Sequence, residues 1–263
     1  MAKKIFFDFE FTGLHKLTTP ISFAMVAEDG RSFYAEFTDF DKFQIDPYVR
    51  QNVLPKRILQ DYNIATDYQP ESDEVLMKGD IDKVFTSVNK WLTVYEQEGV
   101  QMWGDLLAYD WVLFINIFGN GLALPKFIDI IPLDICTALK LCGEDPHTDR
   151  LLFAYGEDKL ETAKESQNNA LFDAKTSLEV YKKLMSKMEA AKNDSLEDVE
   201  QTSEDIEASN ALDEQIVKYI PEEDVSKTPA KKKRGRPKKS ETKKFIEPSQ
   251  SDIDNSEEFN PPI

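Results

Sequence analysis

Along residues 5–14, Ile-Phe-Phe-Asp-Phe-Glu-Phe-Thr-Gly-Leu, apolar and acidic positions alternate. Phe7, Phe9 and Phe11 fall on one face of a strand, Asp8 and Glu10 share the other, and the run breaks at Gly13. Acids two positions apart on a strand are roughly 7 Å apart at Cα. On a buried sheet face they repel and lose hydration unless a positive charge sits between them, so a bound divalent cation is the economical explanation. The bland alternative is an edge strand with one face in water.

The pattern downstream builds around this strand. Two β-rich runs, 21–27 and 32–37, flank Asp29-Gly30 and predict a hairpin, so the first three strands form an antiparallel meander. Residues 41–80 are mixed, punctuated by Pro47, Pro55 and Pro70, with a short helix predicted over 48–54. Ile81, Val84, Phe85, Val88, Trp91 and Leu92 keep the spacing of a helix with one apolar face. A strand at 101–104 enters a glycine. The apolar run 106–118 then carries Asp110 as its lone acid, a costly placement unless it faces a site. A short final strand is predicted within 124–134 and a helix over 135–141. Leu171, Ala174, Leu178, Tyr181, Leu184 and Met188 hold helical period to about residue 192. This order argues for an α/β fold with one mixed sheet flanked by helices.

Composition divides the 263-residue chain after residue 192. Residues 194–224 hold twelve acids and one lysine, the signature of a disordered linker, assigned to 193–228, although 212–220 could fold on a partner. A basic segment spans 229–244, and 245–263 is an acidic, disordered tail. The net charge is -17, yet nine of the 32 basic residues lie between Lys231 and Lys244, leaving 23 against 48 acids elsewhere. A body this acidic does not bind nucleic acid through a broad positive surface; cations in a site or the basic tail must neutralise a polyanion. Cys136 and Cys142 form no C-x-x-C pair and are expected to be reduced and inert. The N-terminus has no signal-peptide core and no apolar run reaches membrane-spanning length, so a soluble, unsecreted, cytoplasmic protein without a membrane partner is expected.

Asp8-Phe-Glu10-Phe-Thr12-Gly13-Leu14, Tyr109-Asp110 and Asn168-Asn-Ala170-Leu-Phe-Asp173-Ala174 resemble, in order and context, the three motifs of the DEDD superfamily of 3'-to-5' exonucleases. These read D-x-E-x-T-G-L, an aromatic-Asp pair opening a helix, and H-x-A-x-x-D-A. Segments 26–31, 49–55 and 124–128 look like a bacterial and phage 3'-to-5' exoribonuclease subfamily. The likeness covers about residues 1–190, within a domain assigned to 1–192. It implies a ribonuclease H-like fold and hydrolysis of single-stranded RNA or DNA from the 3' end, in the cytoplasm of a bacterium or phage-infected host. It also implies that Asp8, Glu10, Asp110 and Asp173 hold two Mg2+ or Mn2+ ions. Asp8 would bridge both, Glu10 and Asp173 would help hold the nucleophile's metal, and Asp110 the other. Phe11, Thr12 and Leu14 would line the 3'-terminal nucleotide, and the superfamily often forms homodimers. Oxygen ligands without a histidine or cysteine cluster suit hard ions. Two such ions about 4 Å apart clamp the attacking and leaving oxygens of a phosphodiester.

One position departs from the family. The histidine expected five residues before the last aspartate is Asn168, which can orient a water but cannot take its proton near neutral pH. General-base help is usually worth 10²- to 10⁴-fold. The chain is then a natural, slower enzyme in which metal-bound hydroxide suffices or another group supplies the base, a disarmed variant of an active parent, or a module that kept only binding. Asparagine before a helix also has a plain structural use as an N-cap. His15 and His147 lie outside the motifs. In the tail, Arg234-Gly235-Arg236-Pro237 within a lysine-rich run looks like an AT-hook, an extended segment that lies in the narrow minor groove of A/T-rich DNA. An import-like basic run and a generic polyanion anchor are the alternatives.

Overall fold

The computed structural model describes residues 2–59 and 72–217, with side chains described as far as residue 193. Six strands, β1 (Lys3–Phe11), β2 (Pro20–Ala27), β3 (Ser32–Phe37), β4 (Glu74–Gly79), β5 (Val100–Gly104) and β6 (Leu133–Asp134), form one sheet in the order β4-β3-β2-β1-β5-β6. β2 is antiparallel to both of its neighbours, while the β3–β4, β1–β5 and β5–β6 pairs are parallel. This is the mixed, ribonuclease H-like arrangement expected. The hairpin turns where Asp29-Gly30 predicts it, with Gly30 at φ +97°, a backbone that glycine adopts without a Cβ penalty.

Helices α1 (Ile81–Thr93), α2 (Asp110–Ile117), α3 (Ile135–Leu141), α4 (Arg150–Tyr155), α5 (Leu160–Ser166) and α6 (Ala170–Val217) complete the order. The alternation along β1 sorts them into two layers. Ile5, Phe7 and Phe9 join Phe23, Phe33 and Met25 beneath α1 and α2. Phe6, Ala24, Val26 and Tyr34 pack against α3, α4 and α6 on the opposite face. Each fully buried large apolar side chain contributes about 1.5–3 kcal/mol relative to exposure. These aromatics therefore fix the strand register, since a one-residue slip would turn them outward and bring the acids in. Asp8 and Glu10 accordingly face the α6 side.

Several elements differ from the sequence pattern. β4 was not anticipated: Val75, Met77 and Gly79 point inward, but the alternation is short and lies in a stretch read as mixed. The strand expected within 124–134 reduces to Leu133–Asp134 and one bridge between Val100 and Ile128, because Pro125 and Pro132 offer no backbone donor. In place of a regular helix over 48–54 there is a wide turn, Val49–Val53, followed by a 3-10 turn, Leu54–Lys56, where Pro55 cannot continue an α ladder. α4 and α5 had no counterpart in the pattern reading. The helical backbone of α6 continues past residue 192 to Val217, so the first part of the segment expected to be a disordered linker is helical. That stretch contains five Glu and no Gly or Pro.

The chain forms two units, Met1–Ile206 and Glu207–Ile263; in the second, residues 207–217 are helical. The basic segment with Arg234, Gly235, Arg236 and Pro237 and the acidic tail lie outside the described residues.

Candidate active site

β1 outruns its neighbour. It pairs with β5 only from Lys3↔Val100 to Phe6↔Trp103, after which β5 ends at Gly104 and the two strands part. Gly104 is needed at this divergence: a Cβ there would lie 2.5 Å from Leu107 Cδ2 and 3.3 Å from the Phe7 carbonyl oxygen. A crevice outside the carboxyl ends of strands, where connections leave in opposite directions, is the common ligand site of open α/β sheets.

Asp110 closes one side of this crevice. It opens α2, as the Tyr109-Asp110 pair predicts, and it is buried. Its Oδ1 accepts the Phe9 N–H at 2.9 Å, giving the parted edge of β1 a partner. From the opposite layer Asp173, in the first turn of α6, approaches Asp8 and Glu10, and one carboxylate oxygen from each of the three lies within 4.8 Å of the others. The structure thus brings together all four acids singled out in the sequence. Among the described residues, no lysine or arginine salt bridge reaches any of them.

The electrostatics follow from that crowding. Burial, and then the charges of Asp110, Asp173 and Glu10, push the Asp8 carboxyl well above its ordinary value. Glu10 is raised to about 8 by burial and by Asp173 and Asp110. Asp110 and Asp173 are each raised to about 7, mainly by burial, with backbone N–H groups pulling the other way. Carboxylates gathered without a cation hold protons they would otherwise release. An all-oxygen donor set of this kind fits a hard divalent ion, which would relieve the repulsion.

Asn168 and Asn169 divide the roles that the sequence leaves open. Asn169 is the N-cap: its Oδ1 accepts the Phe172 N–H at 3.1 Å, and its Nδ2 donates to the Lys56 carbonyl at 2.7 Å. Asn168 instead has φ +63°, a left-handed backbone that asparagine tolerates better than most residues. Its Oδ1 accepts the hydroxyl of Tyr48 at 3.2 Å. His15 and His147 are exposed and line neither cavity at the site.

Two cavities flank the acids. One, of about 510 Å³, has the carboxylates Asp8, Glu10, Asp46, Asp105 and Asp110 in its wall beside apolar and aromatic residues that include Phe11, Leu14, Tyr48 and Tyr109. Phe11 and Tyr109 stack at 5.4 Å between ring centroids. Thr12, expected beside them, is fully buried and is not in the wall; its hydroxyl donates to Gln44 Oε1 at 2.6 Å and accepts the Thr19 N–H at 2.9 Å. The second cavity, of about 490 Å³, is lined by Asp8, Asp105, Asp149 and Asp173 together with Arg150, Lys164, Gln167 and Asn168.

Sequence reasoning missed Asp105 and Arg150. Arg150 Nε donates to Asp105 Oδ2 at 2.8 Å and Nη2 to Oδ1 at 3.1 Å, a bidentate pair; Asp105 lines both cavities and Arg150 the second. Nη2 also donates to Cys136 Sγ at 3.0 Å, so the trio Asp105, Asp134 and Cys136, whose ligand atoms lie within 4.8 Å of one another, already holds a cation. Burial and the bond to Asp105 raise the Cys136 thiol to about 11, in keeping with a reduced, unreactive cysteine. The available signal for Asp105 was its place directly after Gly104, at the end of the strand beside β1.

No family model matches the chain. It is similar to two 3'-5' exoribonucleases of Mycobacterium tuberculosis, from strains CDC 1551 / Oshkosh and ATCC 25618 / H37Rv. Each is 27% identical over 125 residues, 48% of this chain and 67% of the relative. Among solved structures, the Neurospora crassa Pan2 catalytic unit (protease and nuclease domain) aligns at a TM-score of 0.34 and 19% identity, over 75% of this chain and 29% of that one.

Proposed function

We propose that this chain is a metal-dependent 3'-to-5' exonuclease acting on single-stranded RNA or DNA. The observation that carries the reading is the convergence of Asp8, Glu10 and Asp173 within 4.8 Å, beside a buried Asp110 tied to the backbone of β1. The names of the Mycobacterium relatives favour RNA. Two Mg2+ or Mn2+ ions, when bound, would neutralise charge on the attacking and leaving oxygens of a phosphodiester. Asp8 sits centrally and would be shared between them, with Glu10 and Asp173 on one side and Asp110 on the other. Phe11, Leu14 and Tyr109 offer stacking surface for a terminal base, a contact that tolerates any sequence.

Asn168 holds no proton-accepting group for the attacking water. Its Oδ1 takes the hydrogen of Tyr48, so the phenolic oxygen keeps its lone pairs free to accept from a water, and the pair orients rather than deprotonates it. This contact favours a second reading, in which the chain grips 3' ends and metal but turns over slowly or not at all. In either case the Arg234-Gly235-Arg236-Pro237 segment would tether the domain to A/T-rich DNA through the minor groove.

The test follows 5'-labelled single-stranded RNA and DNA with magnesium or manganese. The exonuclease reading requires shortening from the 3' end by the protein and none by Asp8→Ala. Cutting only by Asn168→His would identify a disarmed enzyme on an intact acid scaffold. Binding of strand and metal without cutting by any version would leave the binding module.

A further inference from the structure

Away from the acids, the far side of the 45–57 segment walls a third cavity, of about 470 Å³, within the size range of small-molecule sites. Lys42, Arg50, Arg57 and Lys78 line it with Phe40 and Leu54, and among the described residues no acid does. In a chain where acids outnumber bases 49 to 32, that is a local inversion of charge. Asp41 and Asp46, close by in sequence, bond elsewhere. Asp41 accepts the Phe43 N–H at 2.9 Å, and Asp46 accepts the Val49 N–H at 2.8 Å and lines the cavity that holds Glu10. Among the described residues, no carboxylate forms a salt bridge with Lys42, Arg50 or Arg57. The half-buried Arg57 side chain is oriented by its Nε, which donates to the Leu54 carbonyl at 3.2 Å; among the described residues both terminal nitrogens are left without a bond. Lys78, whose Nζ donates to the Leu59 carbonyl at 2.9 Å, adds its charge from β4.

This cavity is distinct from the acid cluster. Glu10 pairs with Ser22, Ser22 with Glu36 and Glu36 with Lys78, so Lys78 shares the sheet face of Glu10 and lies three strand spacings, roughly 14 Å, from it at Cα. The 48–56 turn stands between them. Tyr48, Val49 and Val53 line the cavity beside the acids, Arg50 and Leu54 the basic one, and bonds to Asn168 and Asn169 hold the turn against α6.

We propose that the basic cavity binds a free nucleoside polyphosphate, a ligand separate from any strand held at the acids. Several cations around one cavity match a chain of phosphates better than a single one, and guanidinium groups grip phosphate oxygens through paired hydrogen bonds. Phe40 and Leu54 give the nucleoside an apolar wall, which a bare inorganic anion would not use. The turn that divides the two cavities keeps a strand seated at the acids from reaching this one directly. The inference is independent of whether the acids cut.

The test is calorimetric titration of the full chain with adenosine triphosphate in EDTA, where no divalent ion can seat the anion at the acids. Binding at a single site is expected. Arg50→Ala and Arg57→Gln should each weaken it about tenfold, through loss of a charge-assisted hydrogen bond. Arg50 is exposed, so its variant reads binding without a folding defect, and melting of unliganded Arg57→Gln checks the other. Adenosine monophosphate and inorganic triphosphate should both bind more weakly than adenosine triphosphate, the first for want of phosphates and the second for want of the apolar contact. Absence of binding would overturn the site. Unchanged affinity in both variants would do the same by placing the anion on the basic tail, and inorganic triphosphate binding as tightly as the nucleotide would leave an adventitious ion only. Displacement of the nucleotide by single-stranded RNA would assign the cavity to the strand and overturn the free ligand.

Discussion

The hydroxyl of Tyr48 donates to Asn168 Oδ1 at 3.2 Å, joining residues 120 positions apart in sequence. Beside it the Lys56 ammonium donates to the Glu165 carbonyl, and Asn169 Nδ2 donates to the Lys56 carbonyl. These links hold the 48–56 turn against the start of α6, and so place a phenol beside the position where the family resemblance expects a base.

Asn168→His is expected to restore that base. Histidine shares asparagine's tolerance of a left-handed backbone, so the local fold should survive. Single-turnover hydrolysis of saturating RNA should accelerate by about 10²-fold, with a new low-pH limb near roughly 6.5, the ordinary histidine value. An unchanged rate and pH profile would show that another group already takes the proton.

Asn169→Ala removes the N-cap of α6 and its bond to Lys56. A lost cap typically costs about 1 kcal/mol, or about 2–4 °C of melting temperature for a domain of this size. Because α6 carries Asp173, divalent-cation affinity measured by calorimetry should fall with it. A variant as stable as the parent would mean that the capping bond contributes nothing to the fold.

The acid cluster should make the cation-free protein less stable at higher pH. The folded values of Glu10, about 8, and of Asp110 and Asp173, about 7, lie above the roughly 4 of unfolded carboxyls. Between these limits the folded chain binds more protons than the unfolded one. The cluster's contribution is therefore fully present below about pH 4 and is lost as pH rises through 7 and 8. Melting in EDTA across that range should show a decline that Asp8→Asn flattens.

Asp8→Asn should also separate stability from ion binding. At a pH high enough to ionise the cluster, removing the Asp8 carboxyl takes away its repulsion with Asp110, Asp173 and Glu10, so the cation-free variant should melt higher than the parent there. The parent should gain about 2.7 kcal/mol when manganese reaches a hundredfold excess over its Kd, and the variant much less. Equal gains in both would place the ion elsewhere.

The sequence by itself determined the elements that carry a local period or motif. Alternation along 5–11 placed Asp8 and Glu10 on one face, the Asp29-Gly30 turn set the hairpin, and helical spacing located α1 and the start of α6. The lone acid in an apolar run marked Asp110. These are legible because side-chain direction in a strand or helix is fixed by position along the chain. What stayed illegible depends on distant segments. β4 is a strand because β3 offers it an edge. Asp105 matters because Arg150 reaches it from α4. Tyr48 meets Asn168 only because flanking residues are anchored in separate layers. Periodicity assigned the four acids to their elements, whereas the packing of α2 and α6 on opposite faces of the sheet decided that they would meet, since contact between remote segments follows from burying both faces at once.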